Sequence, residues 1–283
     1  MALFSDILLT VDFDHTMTAH DGSIPQRNLD AVRYFIENGG TFTVNTGRSL
    51  PMSRLFMDKV PVNAPFLFYN GSAWYDTHTK QLIQCSLLDL DPAALVEELR
   101  TNFPKLYIEI QGEHSHYLYP ENAMWQSYSD NNQCRWSYAP PEETGPFLKF
   151  ALYTKFLSST ISSMYDVTPE EEELFRQALG YLQERYGDKI ELFRPCARIW
   201  DIHAKGVSKL NSAQKLQKQL GKKILVCVGD GENDVPMLSG ADYAFCPKDA
   251  AIADRYPNVC PCGEGAVADV IYEKIPAIVE NRA

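Results

Sequence analysis

No stretch of the chain approaches the ~20 consecutive apolar residues needed to cross a bilayer. The start, Met1-Ala2-Leu3-Phe4-Ser5-Asp6, lacks the basic and apolar regions of a secretory signal. These absences predict a cytoplasmic protein with no membrane partner. Positive charge is also scarce: 26 Lys and Arg stand against 37 Asp and Glu, a formal net charge of −11. That balance argues against a nucleic-acid binder, which carries a basic face, and against a polybasic membrane anchor. It leaves a small anionic substrate open, because a few local cations, backbone N–H groups or a metal ion outweigh the overall sum within one pocket.

Cysteine usage excludes a further class. The seven cysteines, at 85, 134, 196, 227, 246, 260 and 262, are odd in number and scattered, which suits reduced thiols rather than a disulfide framework. Cys260-Pro261-Cys262, with Cys246 nearby, offers sulfur ligands without the two-residue spacing of common zinc motifs. Internal repeats are lacking too, and nothing in the sequence identifies a protein partner. At 283 residues, 45% hydrophobic and 12% aromatic, the composition is that of a globular chain long enough for two domains.

The first 70 residues alternate strand and helix signals. Ile7 to Val11 is a short apolar run, and Ile24 to Asn38 carries Leu29, Val32, Phe35 and Ile36 at helical spacing before Gly39-Gly40. Phe42 to Val44 and Phe66 to Tyr69 read as further buried strands. After residue 200 a helix is predicted near Ser208 to Leu220, with Ser208 as N-cap and Leu210, Ala213, Leu216 and Leu220 as its stripe. Ile224 to Val228 and Tyr243 to Cys246 supply two more strands. Strands apolar throughout and separated by helices imply an α/β fold with a parallel sheet covered on both faces.

The middle reads differently. Residues 103 to 156 are rich in aromatics, among them Tyr107, Tyr117, Tyr119, Trp125, Trp136 and Phe150, with turn signals at Pro140-Pro141 and Gly145-Pro146. A separate α+β module fits this segment, with a helix opened by Thr168-Pro169 and closed near Gly187.

Four of the predicted core strands end in a polar cluster: Asp12-Phe13-Asp14-His15-Thr16, Asn45-Thr46-Gly47-Arg48, Asn70-Gly71 and Gly229-Asp230-Gly231-Glu232-Asn233-Asp234. Ligands of open α/β sheets bind outside the carboxyl ends of the strands, so these clusters are expected to converge on one crevice. Asp12 and Asp14, two apart at a strand end, point to the same side while Phe13 points away. One carboxylate then serves as nucleophile for phosphoryl transfer and the other as acid and base.

Asp230 and Asp234, with Asp12, give the oxygen-rich set that Mg²⁺ prefers, and Asp230 is the favoured direct ligand. The dianionic charge of a phosphate monoester makes such a metal close to obligatory for a carboxylate nucleophile. Thr46 and Gly47 offer a hydroxyl and a backbone N–H to a phosphate oxygen, and Lys209 at a helix start favours an anion, with Lys205 as the rival cation. Arg48 and Asn70, in the same clusters, are candidate substrate contacts. His15 and His20 flank the nucleophile loop without evident metal-ligand partners, and His114-Ser115-His116 reads as a surface strand.

In order and spacing these residues resemble the haloacid dehalogenase superfamily of phosphohydrolases, specifically its Cof-type, subfamily IIB, branch of sugar-phosphatase-like proteins. Asp12-Phe13-Asp14-His15-Thr16 matches the first motif, Thr46-Gly47-Arg48 the second, Lys209 the third, and Gly229-Asp230-Gly231-Glu232-Asn233-Asp234-Val235-Pro236-Met237-Leu238 the fourth. The resemblance implies a Rossmann-like parallel sheet core with helices on both faces, built from residues 1–80 and 196–283, and an inserted α+β cap over 81–195 that closes over the site and selects substrate. It implies Asp12 as nucleophile and Asp14 as acid/base. Thr46, Gly47, Lys209 and Asn233 would bind phosphate, and Mg²⁺ would be held by Asp12, the Asp14 carbonyl and Asp230, with Asn233 and Asp234 supporting that shell.

One departure is His15, where the family usually has glycine. The implied activity is hydrolysis of small phosphorylated metabolites, sugar phosphates first. The rivals are a phosphomannomutase-like phosphomutase, which needs a second phosphate patch for which Arg194 and Arg198 are candidates, and a non-catalytic phosphometabolite-binding regulator.

Overall fold

The computed structural model describes residues 3–121, 123–138, 147–154 and 166–280. The turn signals at Pro140-Pro141 and Gly145-Pro146 lie outside the described residues. Two compact units emerge: Met1–Gly47, Phe56–Gln84 and Ser208–Ala283 form one, and Arg48–Leu55 with Cys85–Val207 form the other.

The first strands are β1 (Ile7–Val11), β2 (Thr41–Val44), β3 (Phe66–Phe68), β4 (Ala73–Asp76) and β5 (Gln81–Cys85). Then come β6 (Tyr107–Gln111), β7 (His116–Tyr119), β8 (Trp136–Ser137), β9 (Lys149–Tyr153), β10 (Ile190–Cys196) and β11 (Ile199–Ala204). The last are β12 (Ile224–Val228), β13 (Tyr243–Pro247) and β14 (Asn258–Val259).

The first unit is built on a five-stranded sheet of order β14-β13-β12-β1-β2, all neighbours parallel. Every residue of β1, β2 and β12 is buried, so β1 and β12 read as nearly continuous apolar runs, whereas β2 alternates buried threonines with Phe42 and Val44. Leu8, Leu225 and Cys227 pack with Ala213 and Leu216 of the helix Lys209–Gln219 and with Met237 and Leu238 of the helix Val235–Ser239. Burial of each leucine or methionine in this set contributes about 1.5–3 kcal/mol. The helices Gln26–Glu37 and Cys262–Asp269 pack on each other and reach β2 and β13 respectively. Ser208 caps its helix as expected, accepting a hydrogen bond from Asn211 N at 3.0 Å.

One strand departs from expectation. Phe66–Phe68 is not part of the parallel sheet; it pairs antiparallel with β4 in a three-stranded sheet of order β3-β4-β5. A single parallel bridge, Asn45 to Leu67, ties it to the end of β2. With only three residues, and Tyr69 and Asn70 in left-handed conformations directly after it, the segment turns back before a longer parallel ladder forms.

The second unit carries a six-stranded sheet of order β10-β11-β9-β6-β7-β8, antiparallel except for β7 with β8. Its core joins Ile108, Ile110, Phe150, Leu152 and Ile202 to Leu95 and Leu99 of the helix Pro92–Asn102 and to Phe175, Ala178 and Leu182 of the helix Pro169–Tyr186. A capping box closes the start of the latter helix: Thr168 Oγ1 accepts from Glu171 N at 3.2 Å and Glu171 Oε2 accepts from Thr168 N at 2.9 Å.

His116 corrects the surface-strand reading of His114-Ser115-His116. It is 1% exposed, with Nδ1 2.5 Å from Glu109 Oε1 and Nε2 hydrogen-bonded to Ser49 Oγ at 2.7 Å. His114, by contrast, is exposed. Among the described residues no helix is long and apolar enough to cross a membrane.

Candidate active site

The parallel ladder continues one residue past each strand and thereby fixes the site. Asp12 N donates to Val228 O at 2.9 Å, and Asn45 N donates to Val11 O at 2.8 Å. Asp12 thus stands at the carboxyl end of the central strand, between the loops that follow β2 and β12. It is 7% exposed. Phe13 points into the core and stacks on Phe56 with ring centroids 3.6 Å apart.

Lys209, the first residue of its helix, bridges two carboxylates: its ammonium donates to Asp12 Oδ1 and to Asp234 Oδ1, each at 2.6 Å. The helix start is itself held from β2, because Asn45 Nδ2 donates to Lys209 O at 2.9 Å. The other oxygen of Asp234 accepts the backbone N–H groups of Asp230 (3.0 Å) and Gly231 (3.1 Å), shaping the loop after β12. Gly229 permits this approach: a Cβ there would lie 2.6 Å from Asp234 Cγ. Asp230 accepts a hydrogen bond from Thr16 Oγ1 at 3.0 Å, joining the two acidic loops.

Carboxylate oxygens of Asp12, Asp230 and Asp234 lie within 4.8 Å of one another. One buried ammonium faces three acids, so negative charge is under-compensated. Burial pushes the Asp12 carboxyl up to about 7, with Asp234 and Asp14 adding to the shift and Lys209 opposing it. Burial also raises Asp230 well above the ordinary carboxylate range, helped by the charges of Asp12 and Asp234. Lys209, despite its burial, is held above the ordinary lysine range by the same two aspartates, Asp12 first. Hard oxygen donors with excess negative charge suit a small divalent cation.

The other predicted residues fall as follows. Thr46 is buried, donates its N–H to Leu67 O and accepts from Asn70 N, both at 2.9 Å, so Thr46, Gly47 and Asn70 form one cluster. Asn233 is half-buried in the turn Glu232–Asp234. Asp14 lies on the loop after Asp12, close enough for its charge to act on that carboxyl. Arg48 belongs to the second unit, where Nη1 donates to Asn132 Oδ1 at 3.2 Å.

The rival cation Lys205 is half exposed and pairs with Glu191 at 3.2 Å. Arg194 pairs with Glu172 and lies over the Trp200 ring, and Arg198 pairs with Glu171 and Thr154 Oγ1. Both guanidinium groups are thus tied into the second unit's own framework, rather than forming a phosphate patch.

The sequence places Thr16 and Asn45 in the strand-end clusters without assigning them a role; they touch Asp230 and the Lys209 backbone. A hydroxyl two residues after Asp14 and an amide at the end of β2 were the available signals. His15 has φ +54°, the left-handed region, which explains why glycine suits this position. Its Nδ1 lies 3.9 Å from Asp230 Oδ2.

A family model for haloacid dehalogenase-like hydrolases matches residues 9–253. The pyridoxal phosphate phosphatase YbhA of Escherichia coli is 23% identical over 268 residues, covering 88% of this chain and 90% of the relative. The 5-amino-6-(5-phospho-D-ribitylamino)uracil phosphatase YcsE of Bacillus subtilis is 20% identical over 236 residues, covering 83% and 80%. A solved structure of a haloacid dehalogenase-like hydrolase from Bacteroides thetaiotaomicron has the same fold, with TM-score 0.75 at 19% identity, covering 93% of this chain and 97% of that one. A subclass IIB sugar phosphatase gives TM-score 0.73 at 17% identity over 95% of this chain and 99% of the other.

Proposed function

This chain belongs to the haloacid dehalogenase-like hydrolases, and from that premise we propose that it is a Mg²⁺-dependent phosphatase of small phosphomonoesters, sugar phosphates first, with Asp12 as nucleophile. The observation that carries the reading is Lys209 bridging Asp12 and Asp234 at 2.6 Å, with Asp230 gathered alongside. Pure binding of an anion has no use for so many carboxylates around one lysine.

In this reading the Asp12 carboxylate attacks phosphorus and the ester P–O bond breaks as Asp14 gives its proton to the leaving oxygen. Water then attacks the aspartyl-phosphate, Asp14 takes a proton from it, and Asp12 is released with inorganic phosphate. Lys209, Thr46, Gly47 and Asn233 would hold phosphate oxygens, Asn233 from the turn Glu232–Asp234 after β12. Asp12, Asp14 and Asp230 would hold the Mg²⁺, with Asp234 fixing the loop. The ion would neutralise phosphate charge and polarise the phosphorus centre. The second unit, here taken as the cap, would choose the substrate; Arg48 of that unit and Asn70 of the first are the candidate substrate contacts. The names of the relatives support a small phosphorylated metabolite without singling out one.

Purified protein given a panel of aryl, sugar and pyridoxal phosphates should release phosphate with Mg²⁺ and lose that activity on chelation. Failure on every ester with the metal present would sink the proposal. The pH dependence has a definite sign. Asp12 and Asp230 bind protons more tightly folded than unfolded, so the metal-free protein loses stability as pH rises from the ordinary Asp range of about 3.9 toward about 7. Mg²⁺ must displace those protons, so its affinity should rise over the same window, by up to about tenfold per pH unit for each group released. Thermal melts with Mg²⁺ or chelator, at about pH 5.5 and about pH 8, should show the larger metal-induced shift at the higher pH.

A further inference from the structure

The first unit holds a second group of metal-ligating side chains, chemically unlike the carboxylate cluster. His20, Asp249 and Cys262 present ligand atoms that all lie within 4.8 Å of one another. Among the described residues these two groups are the ones with that geometry. The three come from separate elements: His20 from the turn after the Asp12 loop, Asp249 from the turn after β13, and Cys262 from the start of the helix Cys262–Asp269.

Asp249 is oriented for a shared ligand. Its Oδ1 accepts the backbone N–H of Cys262 at 3.0 Å, which fixes the carboxylate plane. Its Oδ2 lies 3.2 Å from His20 Nε2 and 3.4 Å from Cys262 Sγ. A tetrahedral zinc with bonds of about 2.1 Å to N and O and about 2.3 Å to S has ligand-to-ligand edges of about 3.4 Å for N···O and about 3.6 Å for S···O. The observed separations already lie close to those edges. The His20 turn is itself closed by Ala19 N donating to Ser23 O at 2.8 Å.

We propose that His20, Asp249 and Cys262 form a second cation site, which takes a borderline transition metal such as Zn²⁺ in preference to Mg²⁺. A thiolate and an imidazole are poor ligands for Mg²⁺ and good ones for Zn²⁺, which also accepts one carboxylate. The His20 side chain is 61% exposed, so the metal has a route in. The Cys260-Pro261-Cys262 motif contributes only its second sulfur. Cys260 lies 3.8 Å from Arg27 Nη1, and Cys246 accepts from Asn258 Nδ2 at 3.2 Å.

The test is a Zn²⁺ titration of the full chain in excess Mg²⁺, with Co²⁺ as spectroscopic probe. One equivalent should bind, and Co²⁺ should give a thiolate-to-metal charge-transfer band. Cys262→Ser, which keeps a hydroxyl to bond Asp249, should abolish the band. His20→Ala, at an exposed position, should weaken Zn²⁺ binding by at least about tenfold. Asp12→Asn should leave band and affinity intact. No binding in excess Mg²⁺, equal affinity in Cys262→Ser and His20→Ala, or loss of binding in Asp12→Asn would each overturn the site.

Discussion

Replacing Asp12 by Asn should lower kcat by about 10⁴-fold or more, in the range seen when a covalent nucleophile is removed, while the protein stays folded. The amide is nearly isosteric with the carboxylate but does not attack phosphorus. Folding should not suffer, because burial already opposes the charge of Asp12, pushing its carboxyl up to about 7. Lys209 keeps its second partner, Asp234, at 2.6 Å. The thermal midpoint of metal-free Asp12→Asn is therefore expected to equal or exceed that of the parent. Steady-state kinetics beside a melt would separate the two effects, and an undiminished rate would remove Asp12 from the chemistry.

Asp234→Ala should do the reverse and unsettle the fold together with the site. Asp234 is fully buried, and its two oxygens take the Lys209 ammonium and the N–H groups of Asp230 and Gly231. Truncation leaves two loop donors without acceptors and half the compensation of a buried lysine missing. Removing one partner of a buried charged network costs about 3–5 kcal/mol, which corresponds to a fall of roughly 10 °C in midpoint for a chain of this size. Activity should fall with it even at temperatures where the variant remains folded, since the loop carrying Asp230 is no longer held. A variant with parental stability would mean that the Lys209 and Asp234 pair does not hold the loop.

Much of this was legible in the residues. β1 and β12 announce themselves because a strand buried on both faces is nearly all apolar, Thr10 being the exception, and the helix after Ser208 because a capping hydroxyl precedes Ala213 and Leu216, although Leu220 of the expected stripe is exposed beyond the helix end. The loops at the strand ends carry their acids in plain view. Pairing was less legible: β1 lies between β12 and β2, and nothing local to Ile7–Val11 encodes a partner more than 200 residues away. Phe66–Phe68 looks like its neighbours in composition, yet the left-handed residues Tyr69 and Asn70 send the chain into an antiparallel sheet.

The hidden polar contacts share one cause. Thr16, Asn45 and His116 are ordinary surface-type residues in sequence, and only packing brings Asp230, Lys209 and Glu109 to them. His20 seemed to lack ligand partners for the same reason: Asp249 and Cys262 reach it from the far end of the chain.

The most direct measurement is to mix enzyme with a good phosphate ester and Mg²⁺, quench in acid during turnover, and weigh the proteolytic peptides. A phosphoryl group on the peptide containing Asp12, absent from Asp12→Asn and discharged when the quench is delayed, is the predicted result. Full turnover with that peptide never carrying phosphate, or with the phosphoryl group on another residue, would contradict the assignment of Asp12 as nucleophile.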